Sequence, residues 1–343
     1  MKALVYWALS GIGGIQRFDA LLTRALLDLG LETHALIPSS ISIKDLELYH
    51  GVTLSDAHII NYGVVKCGGP YCDLINNMEG NIVLSNIVDN YDVVFIDTLS
   101  IAPAGKRLIK KRNYVCYVHG PITIRRPRPL LTYKPNRLVL HALLSLLSDY
   151  RIILPDRVFT NSLYSAMLSR NVLGYTPKVL HPPVDINRVM KYSSTKDLIV
   201  SMLARFGSAK GWDFTLIVFK DLIDKCRINN VKLYLIGSIN NNTDVRYVKY
   251  LLNLAEKLGI KERIRIFINL SIDDVYKILN NSMAFLHVKP HEHFGIVVVE
   301  AMAAGAVPIV HKSGGPWFDI IGMGRYGYGY SSKEEAVDAY VGY

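Results

Sequence analysis

The chain has 343 residues, half of them apolar and a fifth charged, with a formal net charge of +10. This length exceeds what one ordinary core fills, so two domains are expected, and the composition excludes a disordered chain. No apolar run reaches the roughly eighteen residues of a spanning helix, and four scattered cysteines (Cys67, Cys72, Cys116, Cys226) give no disulfide framework and indicate reduced, cytoplasmic thiols.

In chain order, Met1–Tyr6 is expected to be a strand and not a signal peptide, since no charged region precedes it and no cleavage site follows. The first strand is placed at Ala3–Leu9. Ser10-Gly11-Ile12-Gly13-Gly14-Ile15-Gln16-Arg17 is a glycine-rich loop. Apolar residues at helical spacing predict a helix over Phe18–Leu29, ended by Gly30, and Thr33–Ile37 is the second strand. A stretch from Ser39 to Asn90 is expected to hold one or two strands and a helix. Further strands follow at Tyr91–Asp97, Tyr114–His119 and Arg157–Asn161. Their near-continuous apolar character is that of a parallel sheet buried on both faces.

From Thr98 to Ser148 there is no acidic residue, while Lys106, Arg107, Lys110, Lys111, Arg112, Arg125, Arg126, Arg128, Lys134 and Arg137 lie in the same span. Such a block suggests an anionic partner: a phosphate-bearing ligand, a membrane surface or nucleic acid. Within it, Ile124–Leu147 is basic and then leucine-rich. It is either a helix buried in the first domain or an interfacial helix with its basic groups at lipid headgroups.

Pro182-Pro183-Val184-Asp185 and the polar run Lys191–Asp197 mark a boundary, giving domains 1–185 and 186–343. The alternation then restarts. Strands are expected at Leu198–Leu203, Lys232–Ile236, Arg263–Ile268, Met283–Val288 and Val307–Val310. Helices are expected at Phe214–Cys226, Val245–Leu258, Asp273–Leu279 and from near Phe294 to Gly305. Two consecutive βαβ domains imply an α/β protein with two Rossmann-like halves and a cleft between them. No internal repeat is visible.

Several groups in this frame can carry chemistry. The loop Gly-x-Gly-Gly-x-Gln lacks the third glycine of a dinucleotide fingerprint, and the second strand does not end in an acid, which disfavours a dehydrogenase. Gly13 and Gly14 still permit close backbone approach by a ligand at a helix start. His119 ends a parallel strand, where open α/β sheets bind ligands. Arg205 and Lys210 flank a short turn and could clamp a diphosphate through charge-assisted hydrogen bonds. Lys289-Pro290-His291-Glu292-His293-Phe294-Gly295-Ile296 joins a strand to a helix N-terminus, a natural anion site. Two carboxylates, Glu292 and Glu300, lie in this stretch with seven residues between them. His291, Glu292 and His293 are too close in sequence to wrap one ion readily. Ser313-Gly314-Gly315-Pro316 is a second candidate backbone donor loop, and no Asp-x-Asp occurs anywhere.

Glu-x7-Glu in the frame Phe294-Gly295…Glu300-Ala301-Met302-Ala303-Ala304-Gly305, followed by Gly-Gly, resembles the donor site of the retaining glycosyltransferase family 4, with the glycosyltransferase-B (GT-B) fold. Cys116-Tyr117-Val118-His119 and Gly314-Gly315-Pro316-Trp317-Phe318-Asp319 look like one subgroup, the α-1,2-mannosyltransferases that extend the lipid-linked N-glycan precursor. Most of the wider family has Glu where Asp319 stands. The resemblance implies catalytic or transition-state roles for His119, Arg205, Lys210 and Glu292. It implies donor contacts for Gly14, His293, Phe294, Gly295, Ile296 and Glu300, with Glu300 on the ribose hydroxyls. Acceptor contacts would fall to Gly13, Gln16 and Arg17. No metal and no cofactor is expected, only a nucleotide-sugar substrate: GDP-mannose, or else a UDP-sugar. The acceptor is expected to be a glycan or lipid-linked, the enzyme cytoplasmic and peripheral on the membrane face, and nucleic acid not a partner. A catalytically silent partner subunit is the rival reading. Family members end in helices that cross back onto the first domain, and this chain is expected to have that brace short or missing.

Overall fold

The computed structural model describes residues 1–7, 13–63, 70–97, 114–120, 157–192, 194–226, 230–239 and 241–341. They form two compact units: Met1–Asn161 with Ser165–His181, and Ser162–Tyr164 with Pro182–Tyr343.

The first unit holds β1 (Lys2–Tyr6), α1 (Gly14–Asp28), β2 (Glu32–Pro38), α2 (Ile43–His50), β3 (His58–Tyr62), α3 (Pro70–Ile87), β4 (Val93–Ile96), β5 (Tyr114–Val118), β6 (Arg157–Thr160), most of α4 (Leu163–Leu173) and β7 (Lys178–Val179). All its strands are parallel, in the order β3-β2-β1-β4-β5-β6-β7. The period of two explains the layering. Leu4 and Tyr6 of β1 pack with Leu36, Tyr62 and Val88 on one face, while Ala3 and Val5 pack with Ala20, Leu26 and Ala35 on the other. Helix α1 starts at Gly14, four residues before the expected Phe18. The loop preceding it therefore contributes its last glycine to the helix. Among the described residues between 39 and 90 there are two α-helices, one strand and a closing 3-10 turn at Val88–Asn90, where one or two strands and one helix were expected. Ser42 opens α2 by accepting from the Asp45 N–H, and Gly51 closes it at φ 66°.

The second unit holds α5 (Ile186–Met190), β8 (Asp197–Leu203), α6 (Trp212–Cys226), β9 (Lys232–Gly237), α7 (Asn242–Lys257), β10 (Ile264–Ile268), α8 (Ile272–Asn281), β11 (Ser282–His287), α9 (Ile296–Ala303), β12 (Val307–His311), β13 (Tyr328–Tyr330) and α10 (Lys333–Val341). Its parallel strands run β10-β9-β8-β11-β12-β13. One core, around Phe219, Leu233 and Leu286, lies under α6, α7 and α10; the other, around Tyr276, Phe285 and Val298, lies under α5, α8 and α9. Lys196, in the polar run before β8, ties two helix ends together. Its ammonium donates to the carbonyls of Asn280, 2.7 Å away, and Ala304, 2.5 Å away, at the C-termini of α8 and α9.

The two sheets repeat one strand order. Counting from the first strand of each, both run 3-2-1-4-5-6, and the direction of winding reverses between β1 and β4 and again between β8 and β11. In open α/β sheets such a switch point opens a crevice at the carboxyl ends of its two strands. The loops after β8 and β11 are those that carry Arg205, Lys210 and Glu292.

Among the described residues no helix is long and apolar enough to cross a membrane. Segment 124–147, Cys67 and most of the basic span lie outside the described residues.

Candidate active site

The loop after β8 is pinned at two points. Ala204 N–H donates to Ile236 carbonyl and Phe206 N–H to Ser238 carbonyl, at 3.1 and 2.9 Å. Phe206 is fully buried and stacks on Trp212 with ring centres 4.6 Å apart, and the Trp212 indole N–H donates to the Arg205 carbonyl. The Arg205 side chain is thereby left exposed between fixed neighbours. Lys210 follows on the single 3-10 turn Ser208–Lys210. Gly211 closes that turn at φ 74°, where a Cβ would lie 2.7 Å from Val288.

The loop after β11 brings Lys289, Glu292 and the start of α9 to the same end of the sheet. Lys289 Nζ lies 2.9 Å from Glu292 Oε2, and Lys210 Nζ lies 3.9 Å from the same oxygen. Burial alone would raise the Glu292 pKa. The nearby Lys289, His287 and Lys210 outweigh it and hold the carboxyl down to about 2, so Glu292 is ionised at neutral pH. Burial lowers the Lys210 pKa, opposed by Glu292 and assisted by the like charges of Lys289 and Arg205. Two lysines at one carboxylate, with Arg205 acting on Lys210, leave the site short of negative charge. Burial likewise lowers His293, and it lowers His287 to about 4.

Helix α9 begins at Ile296, two residues later than expected. Gly295, its N-cap, stands at φ 93° in the left-handed region and keeps the helix from extending back to Phe294. Phe294 is buried, 7% exposed. The expectation of a second donor loop at Gly314-Gly315 gives way to a packing role. Gly315 N–H donates to the Glu292 carbonyl at 2.8 Å. A Cβ on Gly314 would come within 2.4 Å of the Glu292 oxygen, and one on Gly315 within 2.3 Å of the His293 oxygen. The two glycines therefore let one loop lie directly on the other.

His291 points elsewhere. Its ring nitrogen Nδ1 is 3.0 Å from the Tyr164 hydroxyl, and its N–H donates to Ser313 Oγ. The Ser162 hydroxyl donates to the His293 carbonyl at 2.6 Å. Asp319 accepts from the Leu163 N–H at 2.6 Å and the Tyr164 N–H at 3.5 Å, capping the start of α4. Glu300, expected at the ribose, is 1% exposed on α9, and the Tyr276 hydroxyl donates to its Oε1 at 2.7 Å.

In the first unit His119 follows β5 directly. Its ring sits edge-on to Phe18 and Tyr117, and its carbonyl accepts from the Asn161 amide. Its Nε2 is 3.9 Å from Asp19 Oδ1. Asp19, Asp97 and His119 place ligand-type atoms within 4.8 Å of one another, the group among the described residues with the geometry to hold a metal ion. Burial, then the charge of Asp97 beside it, raises the Asp19 pKa well above the ordinary carboxylate range. Gly13 stands at the N-cap of α1 with Gly14 as its first residue, while Gln16 and Arg17 are buried, 5% and 6% exposed.

Sequence reasoning passed over Lys289, Tyr276, Asp19 and Asp97 as functional candidates. Lys289 and Asp97 had a signal, since each stands at the carboxyl end of a predicted parallel strand. Tyr276 and Asp19 had none, being single positions on amphipathic helices.

Two parallel α/β units with this strand order form the GT-B architecture. Solved structures agree across 99% of this chain. Anabaena Alr3699/HepE in complex with UDP is 17% identical with a TM-score of 0.70, and 88% of that chain is covered. WaaG, a glycosyltransferase involved in lipopolysaccharide biosynthesis, is 15% identical with a TM-score of 0.68, and 89% of it is covered.

Residues 185–342, all in the second unit, match the family model "Glycosyl transferases group 1". The mouse and human proteins named GDP-Man:Man(3)GlcNAc(2)-PP-Dol alpha-1,2-mannosyltransferase are each 33% identical over 177 residues, 48% of this chain. The match covers 36% of each relative, about a third of its length.

Proposed function

We propose that the chain is a retaining, metal-independent glycosyltransferase that moves mannose from GDP-mannose to a glycan or lipid-linked acceptor. The observation that carries this reading is the pair Lys210 and Lys289 at Glu292, with Arg205 acting on Lys210, before the N-terminus of α9 in the stretch that matches the group 1 glycosyltransferase model. Such a cluster accepts a diphosphate. Arg205 and Lys210 neutralise the departing nucleoside diphosphate, the work a metal does in other transferases, and the α9 N–H groups add to it. An ionised Glu292 accepts hydrogen bonds from donor-sugar hydroxyls. His119, beside the Asp19–Asp97 pair, faces the transferred sugar. The acceptor lies on the first unit, near Gly13 and Gly14. The diphosphate leaves from the face that the acceptor attacks, and one of its oxygens takes the acceptor's proton.

The relatives' names support GDP-mannose and a lipid-linked acceptor, and the basic segment 98–148 suits work at an anionic membrane surface on the cytoplasmic side. A UDP-sugar is the second reading, favoured by the UDP and UDP-glucose complexes among the structural neighbours.

A thermal shift series with GDP, UDP, ADP and GDP-mannose, with and without EDTA, tests the reading on the native chain and Arg205→Ala. A ligand that binds only the folded state raises Tm. Stabilisation by GDP and GDP-mannose, indifferent to EDTA and lost in Arg205→Ala, is expected. A response to UDP alone changes the donor. No response to any nucleotide overturns the reading in favour of a silent subunit.

A further inference from the structure

We propose that Tyr276 is a positioning residue that fixes the Glu300 carboxylate for the donor ribose, so that the site distinguishes ribonucleotides from deoxyribonucleotides. The proposal rests on the reading that Glu300 holds the ribose hydroxyls.

Glu300 lies on α9, one turn beyond the N-terminal residues expected to meet sugar and phosphate. It is 1% exposed, and its neighbours on the helix, Val298 and Ala301, belong to an apolar core that also includes Leu279. A buried carboxyl group needs hydrogen-bond partners, since burial without them is costly. Tyr276 supplies one from α8, at 2.7 Å from Oε1. Tyr276 is itself 1% exposed, and its backbone is held as well, because the Asn280 amide donates both to the Tyr276 carbonyl and to the Val189 carbonyl on α5. The phenol is therefore a rigid donor. It restrains rotation of the carboxylate about its last bond and sets the plane in which both oxygens accept.

That restraint matters for a vicinal diol. Two ribose hydroxyls must reach acceptors about one carboxylate-width apart, and a carboxylate free to rotate loses entropy on meeting them. A phenol cannot be replaced here by phenylalanine without leaving the carboxylate short of a donor. The ring's apolar contacts would remain, so the change removes the hydrogen bond and little else. A second donor class also follows from the geometry. A 2′-deoxynucleotide lacks one of the two hydroxyls, so an oriented carboxylate penalises it and a loosely held one does not.

The experiment compares GDP with 2′-deoxy-GDP, and UDP with 2′-deoxy-UDP, by calorimetry on the native chain, Tyr276→Phe and Glu300→Gln. The native chain is expected to prefer the ribonucleotide by about tenfold to a hundredfold, as for a hydrogen bond to a charged group. Tyr276→Phe is expected to lose most of that preference, with deoxynucleotide affinity unchanged. If Tyr276→Phe weakens both sugars equally, or lowers only Tm, the residue is a core partner of Glu300 and the proposal is overturned. If the native chain shows no ribose preference, or Glu300→Gln keeps it, the ribose reading of Glu300 fails and the positioning role falls with it. The Glu300→Gln arm separates these two failures.

Discussion

The Lys289 ammonium lies 2.9 Å from the Glu292 carboxylate, closer than the 3.9 Å of Lys210, so the nearest counter-charge to Glu292 comes from its own loop. The pair joins the end of β11 to the approach of α9. It also holds the carboxylate ionised while Lys210 remains available to an incoming anion.

Lys289→Met is expected to weaken GDP binding by about tenfold, the size of one charge-assisted contact. It should also let the Glu292 carboxyl rise from about 2 toward its ordinary 4.5. A carboxyl depressed in the folded state contributes stability above its unfolded pKa and loses it as pH falls through the folded one. For Glu292 that window runs from about 4.5 down to about 2. Calorimetry reads the affinity, and carboxyl NMR titration reads the pKa; an unchanged Glu292 titration would refute the pairing.

His287 gives a separate acid window. Burial, helped by Lys210 and Lys289 and opposed by Glu292, takes its pKa from 6.5 to about 4. The unfolded chain then binds the extra proton first, so stability is complete above about 6.5 and lost as pH falls toward 4, by roughly 3 kcal/mol in full. Urea melts from pH 7 to 4 should show this decline, and His287→Asn should flatten it. An equal slope in both would place the acid sensitivity in other groups.

Gly314→Ala and Gly315→Ala should each displace the 291–294 backbone. Gly314 carries both penalties, a positive φ of 78° and a Cβ 2.4 Å from a carbonyl oxygen, whereas Gly315 carries only the second. A loss of about 1–3 kcal/mol is expected for Gly314→Ala, with weaker nucleotide binding in both. Denaturation curves beside GDP titrations test this. Normal affinity in both variants would mean that the loop contact does not shape the site.

Lys196→Met should destabilise the second unit by about 1 kcal/mol. It removes a charged donor, itself partly in solvent, from the carbonyl ends of two helices. The midpoint of chemical unfolding should fall while nucleotide affinity, measured where the protein is folded, stays the same. A change in affinity without a change in midpoint would contradict a purely structural role.

Much of the fold was legible because its signals are local. Ala3-Leu4-Val5-Tyr6 and Phe285-Leu286-His287 are short apolar runs at strand length, and buried parallel strands demand such runs. The glycines after α1 and α9 announced their helix ends. Where the reading missed, a longer-range interaction decided. Helix α9 starts after Gly295 and not at Phe294, because the loop on which Gly314 and Gly315 lie fixes the 291–294 backbone. Gln16 and Arg17, expected at the acceptor, are buried in the first turn of α1, a feature that no local signal carries.

By itself the sequence determined which residue types stand at the carboxyl ends of strands: Arg205 and Lys210 after β8, Lys289 and Glu292 after β11, His119 after β5. Only the tertiary structure decided which ends are neighbours. β8 and β11 are side by side although about 80 residues separate them, and β1 lies beside β4 in the same way. Strand order follows from helices packing on both faces of a twisted sheet, a non-local balance that no local periodicity records. That order brings Lys289 to the Arg205–Lys210 turn and Asp19 and Asp97 to His119. It also turns Glu300, one polar residue on an apolar helix, toward the hydroxyl of Tyr276.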